Sequence, residues 1–241
     1  MKTLVSLLAL AAAIPAFAYE PAPAADPLSF NVGVVSEYRY RGISQSRLRP
    51  ALQGGIDYAG ANGFYVGTWA STIKWVKDAG GDGDVEVDLY GGYRTEVAKG
   101  LTLDVGVLQY VYPSNKLNPS ANTFELYGAV SFGPVTAKYS HSTTNLFGYA
   151  DSRNSGYLDV TANFDIGDGF SLAPHVGHQT VRHLAAASYT DYSLTLAKDF
   201  SGLVLSGSLV GTDADKTTYA SPVNGKFMGK TALVVGLKKT F

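Results

Sequence analysis

The 241-residue chain contains no cysteine, which excludes disulfide bridges and thiolate metal centres. Charge is sparse: Asp, Glu, Lys and Arg make up 16% of the residues, against about 25% in ordinary soluble domains. A formal net charge of −1 lacks the basic excess that nucleic acid requires. Beyond the N-terminal stretch, no run approaches the roughly 20 consecutive apolar residues of a membrane helix. No Gly-rich cradle follows a strand and opens a helix, so nucleotide binding has no support and no cofactor is implied. What the chain has in quantity is tyrosine (16), phenylalanine (11) and glycine (27).

The N-terminus reads as an export signal. Lys2 supplies the positive charge, Leu4 to Ile14 the apolar stretch, and Ala16-Phe17-Ala18 the small-residue cleavage site. The expected organisation is a signal peptide over residues 1–18, cleaved after Ala18, a short periplasmic linker over 19–28, and one β-barrel domain over 29–241.

That domain alternates with period two. From 84 to 98, Val85, Val87, Leu89, Gly91, Tyr93 and Val97 share one parity, and Glu86, Asp88, Tyr90, Arg94 and Glu96 the other. From 156 to 166, Leu158, Val160, Ala162, Phe164 and Ile166 oppose Tyr157, Asp159, Thr161, Asn163 and Asp165. Such runs are strands with two chemically different faces. The pattern predicts twelve, near 29–40, 50–60, 63–75, 84–97, 100–112, 121–132, 134–142, 155–166, 169–181, 188–200, 202–212 and 229–241. Most are long enough for the roughly 9–11 residues of a tilted membrane-spanning strand.

The connections alternate too. Short turns fall at 60–63, 98–100, 133–134, 167–169 and 201–202. Longer polar loops fall at 41–49, 76–83, 113–120, 142–154, 182–187 and 213–228. Short periplasmic turns and long external loops are the pattern of an antiparallel transmembrane β-barrel. Tyr58, Phe64, Tyr65, Phe132, Phe164, Phe170, Phe200 and Phe241 lie beside the short turns, whereas Tyr38, Tyr40, Trp75, Tyr112, Phe124, Tyr139, Tyr157 and Tyr189 lie nearer the long loops. Two such bands are expected as interfacial girdles facing outer-membrane lipid. A soluble barrel would also alternate, with its apolar face inward, but strand length and aromatic placement oppose it. So does the final Phe241, which closes an alternating strand as the usual address for the barrel-assembly machinery; Lys239 departs from that signature and is expected to snorkel to the interface.

In a membrane, energetics assign the faces. A midplane Arg or Lys against lipid costs roughly 2–4 kcal/mol, so the charged parity points inward. The expected lumen residues are Glu37, Arg39, Arg41, Gln53, Asp57, Glu86, Asp88, Arg94, Glu96, Asp104, Glu125, Lys138, Asp159 and His175. They carry both signs with a slight acidic excess. Twelve strands lie between the eight of side-chain-filled barrels and the 16–18 of aqueous channels, so an open path for small hydrophilic solutes and a barrel plugged by ion pairs both remain open.

The run Tyr38-Arg39-Tyr40-Arg41-Gly42-Ile43-Ser44, the Gln53-Gly54-Gly55 step, the Gly63-Phe64-Tyr65-Val66-Gly67-Thr68-Trp69 run, the Asp88-Leu89-Tyr90-Gly91-Gly92-Tyr93 segment and the terminal Lys239-Thr240-Phe241 resemble the TorF-like family of outer-membrane porins. The likeness spans the mature chain and is densest in its first half. It implies a barrel and a transport role, and brings no substrate and no functional residues.

Enzyme chemistry finds little footing. His141 and Ser142 are adjacent in a strand and should point to opposite faces, which is poor geometry for a base and its nucleophile. Asp213-Ala214-Asp215-Lys216-Thr217 matches a phosphotransfer pattern, but that chemistry needs an α/β scaffold. His175 and His178 face opposite sides, and Asp82, Asp84, Asp213 and Asp215 read as solvated loop acids rather than a Ca²⁺ site. The expected function is passive diffusion of small hydrophilic solutes through a narrow polar lumen. The alternatives are a structural or surface-binding barrel without an open pore and, more remotely, a lipid-modifying enzyme.

Overall fold

The computed structural model describes residues 27–241; the expected signal peptide and most of the linker lie outside them. Twelve barrel strands follow in order: β1 (Leu28–Val35), β2 (Ala51–Ala59), β3 (Phe64–Thr72), β4 (Val85–Ala98), β5 (Leu101–Val111), β6 (Thr123–Phe132), β7 (Val135–Ser142), β8 (Gly156–Ala162, continuing as Phe164–Gly167), β9 (Phe170–Thr180), β10 (Tyr189–Asp199), β11 (Leu203–Thr212) and β12 (Ala232–Thr240). Each pairs antiparallel with its sequence neighbours. β12 returns to β1, from Asn31↔Thr240 to Val35↔Gly236, so the barrel is closed. Closure leaves no free edge, which a strand in hydrocarbon cannot tolerate.

The alternation sets the two faces. Leu52, Val105, Leu209 and Leu233 point outward and are more than half exposed, whereas Ser71, Thr195 and Ser208 on the other parity are buried. An apolar outside around a polar inside inverts the soluble barrel and suits lipid as the surrounding solvent. Tyrosines lock neighbouring inner strands. The rings of Tyr90, Tyr65 and Tyr127 lie over Gly67, Gly92 and Gly106, where a Cβ would come within 2.6 to 2.7 Å of each phenol Cζ. Gly63 and Gly202 take positive φ in the short turns, a conformation open to glycine at no steric cost.

The girdles are only half as expected. At the short-turn end Tyr58, Phe64, Phe132, Phe164, Phe170, Phe200 and Phe241 face outward, but Tyr65 faces inward and donates to Asp104 at 2.6 Å. Lys239 reaches the Ser201 carbonyl of the adjacent short turn at 3.1 Å. At the long-loop end Tyr38, Tyr40, Tyr112, Tyr157 and Tyr189 are buried inside; Tyr139 does face outward. The reason is parity and chemistry. Tyr157 shares the face of Asp159, and the hydroxyls of Tyr38, Tyr40 and Tyr157 donate to Glu86, Tyr110 and Asp191, partners that lipid would not supply.

Two strand ends are corrected. β1 stops at Val35 instead of running to 40, and β3 stops at Thr72, with Trp75–Asp78 forming one turn of helix. Both segments leave the wall at the long-loop end.

Candidate functional site: a charged lumen crossed by its first loop

The first loop, L1 (residues 36–50), folds into the barrel. It carries a small hairpin, Arg39–Tyr40 against Ile43–Ser44, turned by Arg41 (φ 45°) and Gly42 (φ 76°). Two positive φ values in a two-residue turn are the type I′ pattern. Arg39 and Arg41 are therefore inside, as expected, but as loop residues and not by strand parity. L1 crosses from β1 to the far wall. Tyr38 donates to Glu86 on β4 at 2.6 Å, and Tyr40 to Tyr110 on β5 at 2.7 Å. The Nη2 of Arg41 meets both oxygens of Glu125 on β6 at 2.8 and 3.0 Å, and its Nη1 donates to Gln179 on β9 at 2.5 Å. Its guanidinium also lies 4.2 Å from the centre of the Tyr157 ring on β8. Arg39 ties the hairpin to Glu37 at 2.8 Å and to the carbonyls of Gly42 and Met228.

Beneath this bridge lie the other expected residues. Arg94 pairs with Asp104 at 2.7 Å, and Tyr90 donates to Asp57. The Lys138 ammonium lies 4.0 Å from the centre of the Tyr127 ring. Gln53 approaches Ser71 at 3.4 Å. His175 sits between Asp159 (3.4 Å) and Asp191 (3.6 Å). Asp88 is buried with one oxygen lacking a hydrogen-bond partner among the described residues. Gln53, Asp57, Arg94, Lys138 and Asp159 are only half-buried, so the lower lumen retains accessible space. Glu96 departs from expectation. β4 continues past the lumen to the short turn, with a bulge after Glu96, and its exposed carboxylate accepts from the Gly100 amide at 2.7 Å.

Sequence reasoning missed Asp191, Lys238 and the inner tyrosines. Parity contained those on the wall: Asp191 alternates against Leu194 and Leu196, and Lys238 against Leu237, whereas Tyr38 and Tyr40 lie on L1, where parity does not decide. The walls are unlike. β10 to β12 line the lumen with small groups such as Thr195, Ala197, Ser206 and Ser208, whereas β4 to β8 carry most of the charge and phenol.

The remote enzyme candidates separate. Ser142 is buried and donates to the Thr144 carbonyl at 2.8 Å, while His141 on the other parity meets Asn154 at 3.2 Å. Asp213 accepts from the Thr190 amide across the strand ends, and Asp215 accepts from the Thr217 and Thr218 amides as a turn-forming residue does. Among the described residues no cluster of three or more His, Asp or Glu is arranged to hold a metal.

A closed twelve-stranded antiparallel barrel with a polar, loop-crossed interior is porin-like. Residues 20–241 match the family described as "Bacterial protein of unknown function (Gcw_chp)", and the chain belongs to that family. Solved structures share the fold. The KdgM porin is similar with TM-score 0.59 at 8% identity, over 88% of this chain and 99% of that one. The NanC porin gives 0.56 at 13%, over 89% and 98%. The COG4313 outer membrane channel from Pseudomonas putida F1 gives 0.53 at 15%, over 90% and 96%. No curated protein matches the chain.

Proposed function

We propose that the chain is an outer-membrane porin passing small hydrophilic solutes by diffusion, with L1 as its constriction and no catalytic activity. The observation that carries this is the accessible polar wall beneath L1, where Asp57, Arg94, Lys138 and Asp159 stand half-buried on strands whose other face is apolar. A lumen of charged groups keeps a path favourable for hydrated solutes, and its narrowest point sets size and charge selection. Outer-membrane lipid would cover the apolar face, and Phe241 would present the last strand to the barrel-assembly machinery. The resemblance to TorF-like porins points the same way.

Solute class is constrained by charge. One KdgM structure is a complex with disordered oligogalacturonate, a polyanion. Here the inner carboxylates Glu37, Asp57, Glu86, Asp88, Asp104, Glu125, Asp159 and Asp191 outnumber the bases Arg39, Arg41, Arg94, Lys138 and Lys238. The lumen therefore favours neutral or cationic solutes over polyanions.

A second reading has its own observation. Arg41 is held on the far wall by Glu125 and Gln179, and a permanently held L1 would make a closed barrel whose loops do the work. Single-channel conductance of the refolded protein in a planar bilayer separates the two. Discrete steps support the porin; silence from a folded barrel supports the closed one.

A further inference from the structure

Above L1 the external loops line an open-mouthed vestibule of 430 Å³. Its walls come from L1, the helical turn Trp75–Asp78, and the loops over 112–122, 143–155 and 213–231. The volume falls within the roughly 300–1,000 Å³ of small-molecule pockets. The lining is aromatic: Tyr40, Trp75, Tyr112, Phe147, Tyr149 and Tyr219 all contribute. These rings are fixed in place. Trp75 packs edge-on to Tyr112 at 5.0 Å and Tyr40 to Phe147 at 5.3 Å, while Tyr219 donates to the Ala187 carbonyl at 2.6 Å.

We propose that this vestibule is a binding site for an uncharged, hydroxylated ring compound of mono- to disaccharide size, the class of solute presented to the lumen below. Two observations carry it. The charged side chains of the lining, Arg47 and Asp78, are ion-paired to each other, so no wall charge remains to compensate a charged ligand desolvated there. Ring faces bind flat apolar surface, while Gln45, Asn118 and Thr218 on the same lining offer polar contacts, a combination that fits a molecule with C–H faces and hydroxyl edges. The inference rests on the channel reading only for where the bound solute goes next; binding itself is measured separately from conduction.

The chain has two tryptophans, Trp69 and Trp75. In a Trp69→Phe protein, Trp75 is the sole indole and reports the vestibule directly. Titrating that refolded protein with cellobiose is expected to give a saturable shift in Trp75 emission. Digalacturonate, of equal ring number but charged, should bind at least about tenfold more weakly. Phe147→Ala and Tyr149→Ala in the same background should each weaken cellobiose binding by about tenfold; Phe147→Leu, which keeps bulk and removes the ring, replaces a variant that fails to fold. A non-saturating response, equal or better binding of digalacturonate, or full affinity without the rings overturns the site. Conductance of the same preparation separates the two readings. A conducting barrel without saturable binding sinks the vestibule site and leaves the channel; binding by a silent barrel does the reverse.

Discussion

Arg41 leaves the barrel wall on L1 and closes on Glu125 of β6 across the lumen, with both side chains 2% exposed. Removing one member of such a buried pair strands the other charge at a cost of about 3–5 kcal/mol. Beyond Ser36, which bonds Val235 of β12, the strand ladder of the barrel does not use L1, so the strain has a local outlet: the loop can leave. Arg41→Ala is expected to release L1, raise single-channel conductance and open residues 36–50 to protease, while the barrel keeps its heat-modifiable migration on gels. Glu125→Gln keeps an acceptor for Arg41 and should show the same change more weakly. Unchanged conductance and unchanged protease resistance in Arg41→Ala would remove L1 as the constriction.

Much of this was legible in the residues, and the part that was not has a physical explanation. Apolar and polar side chains alternate at every second position of the wall, so the twelve strands could be read directly, and with them the inward placement of the set from Gln53 to His175 except Glu96, which lies exposed by the short turn. L1 could not. Glu37, Arg39 and Arg41 continue the alternation of β1, and only the Arg41-Gly42 turn hints that the chain has left the wall. Upper tyrosines misled for a related reason. A phenol suits an interface and a polar interior equally; on the wall, parity with neighbouring acids decides between them, while Tyr38 and Tyr40 are carried inside by L1.

The tyrosine–glycine contacts predict a sharp contrast between two glycines. A methyl at Gly106 would meet the Tyr127 ring and the Gly91 carbonyl, and neither rigid wall can retreat easily. A methyl at Gly128 on the outer face meets nothing within 4 Å. Gly106→Ala should lose about 1–3 kcal/mol through overpacking, and Gly128→Ala should be near neutral. Urea unfolding in lipid vesicles reads both; equal effects would mean that Tyr127 does not press on β5.

Asp215 supports the loop above β11 through bonds from the Thr218 and Thr217 amides at 2.7 and 3.1 Å. These hold its carboxyl below the usual carboxylate range, the Thr218 amide most strongly. A depressed folded pKa contributes order that is present above the unfolded value of about 3.9 and lost as pH falls through the folded one. The protection factors of the Thr217 and Thr218 amides, with the intrinsic pH dependence of exchange divided out, should therefore be flat from neutral pH down to about 4 and fall below it. Asp215→Asn, whose amide oxygen accepts without titrating, should abolish that dependence.

Val105 stands on the outer face near the middle of β5, 57% exposed, beside the inward Asp104. If lipid covers that face, Val105→Arg costs roughly 2–4 kcal/mol, and in a detergent-free aqueous setting the same change would cost next to nothing. Stability of the variant in vesicles, set against Val223→Arg in an external loop, measures the difference. Equal stability of the two would argue against a bilayer around the barrel.

The charge balance of the lumen makes its own prediction about ions. Arg94 is committed to Asp104 and Arg41 to Glu125, so the pairs cancel and the residual field comes from acids in excess, Asp57, Asp88 and Asp191 among them. Reversal potentials in a salt gradient should show a cation preference, strongest at low ionic strength where screening is weakest. Asp57→Asn should reduce that preference, because Asp57 is half-buried and Tyr90 can still donate to the amide oxygen. Arg94→Gln should increase it by freeing Asp104. Arg39→Glu is a poorer probe, because Arg39 also holds the Gly42 and Met228 carbonyls and its loss disturbs L1 itself. An anion preference in the wild-type protein would mean that the half-buried bases Lys138 and Lys238, rather than the carboxylates, govern the path.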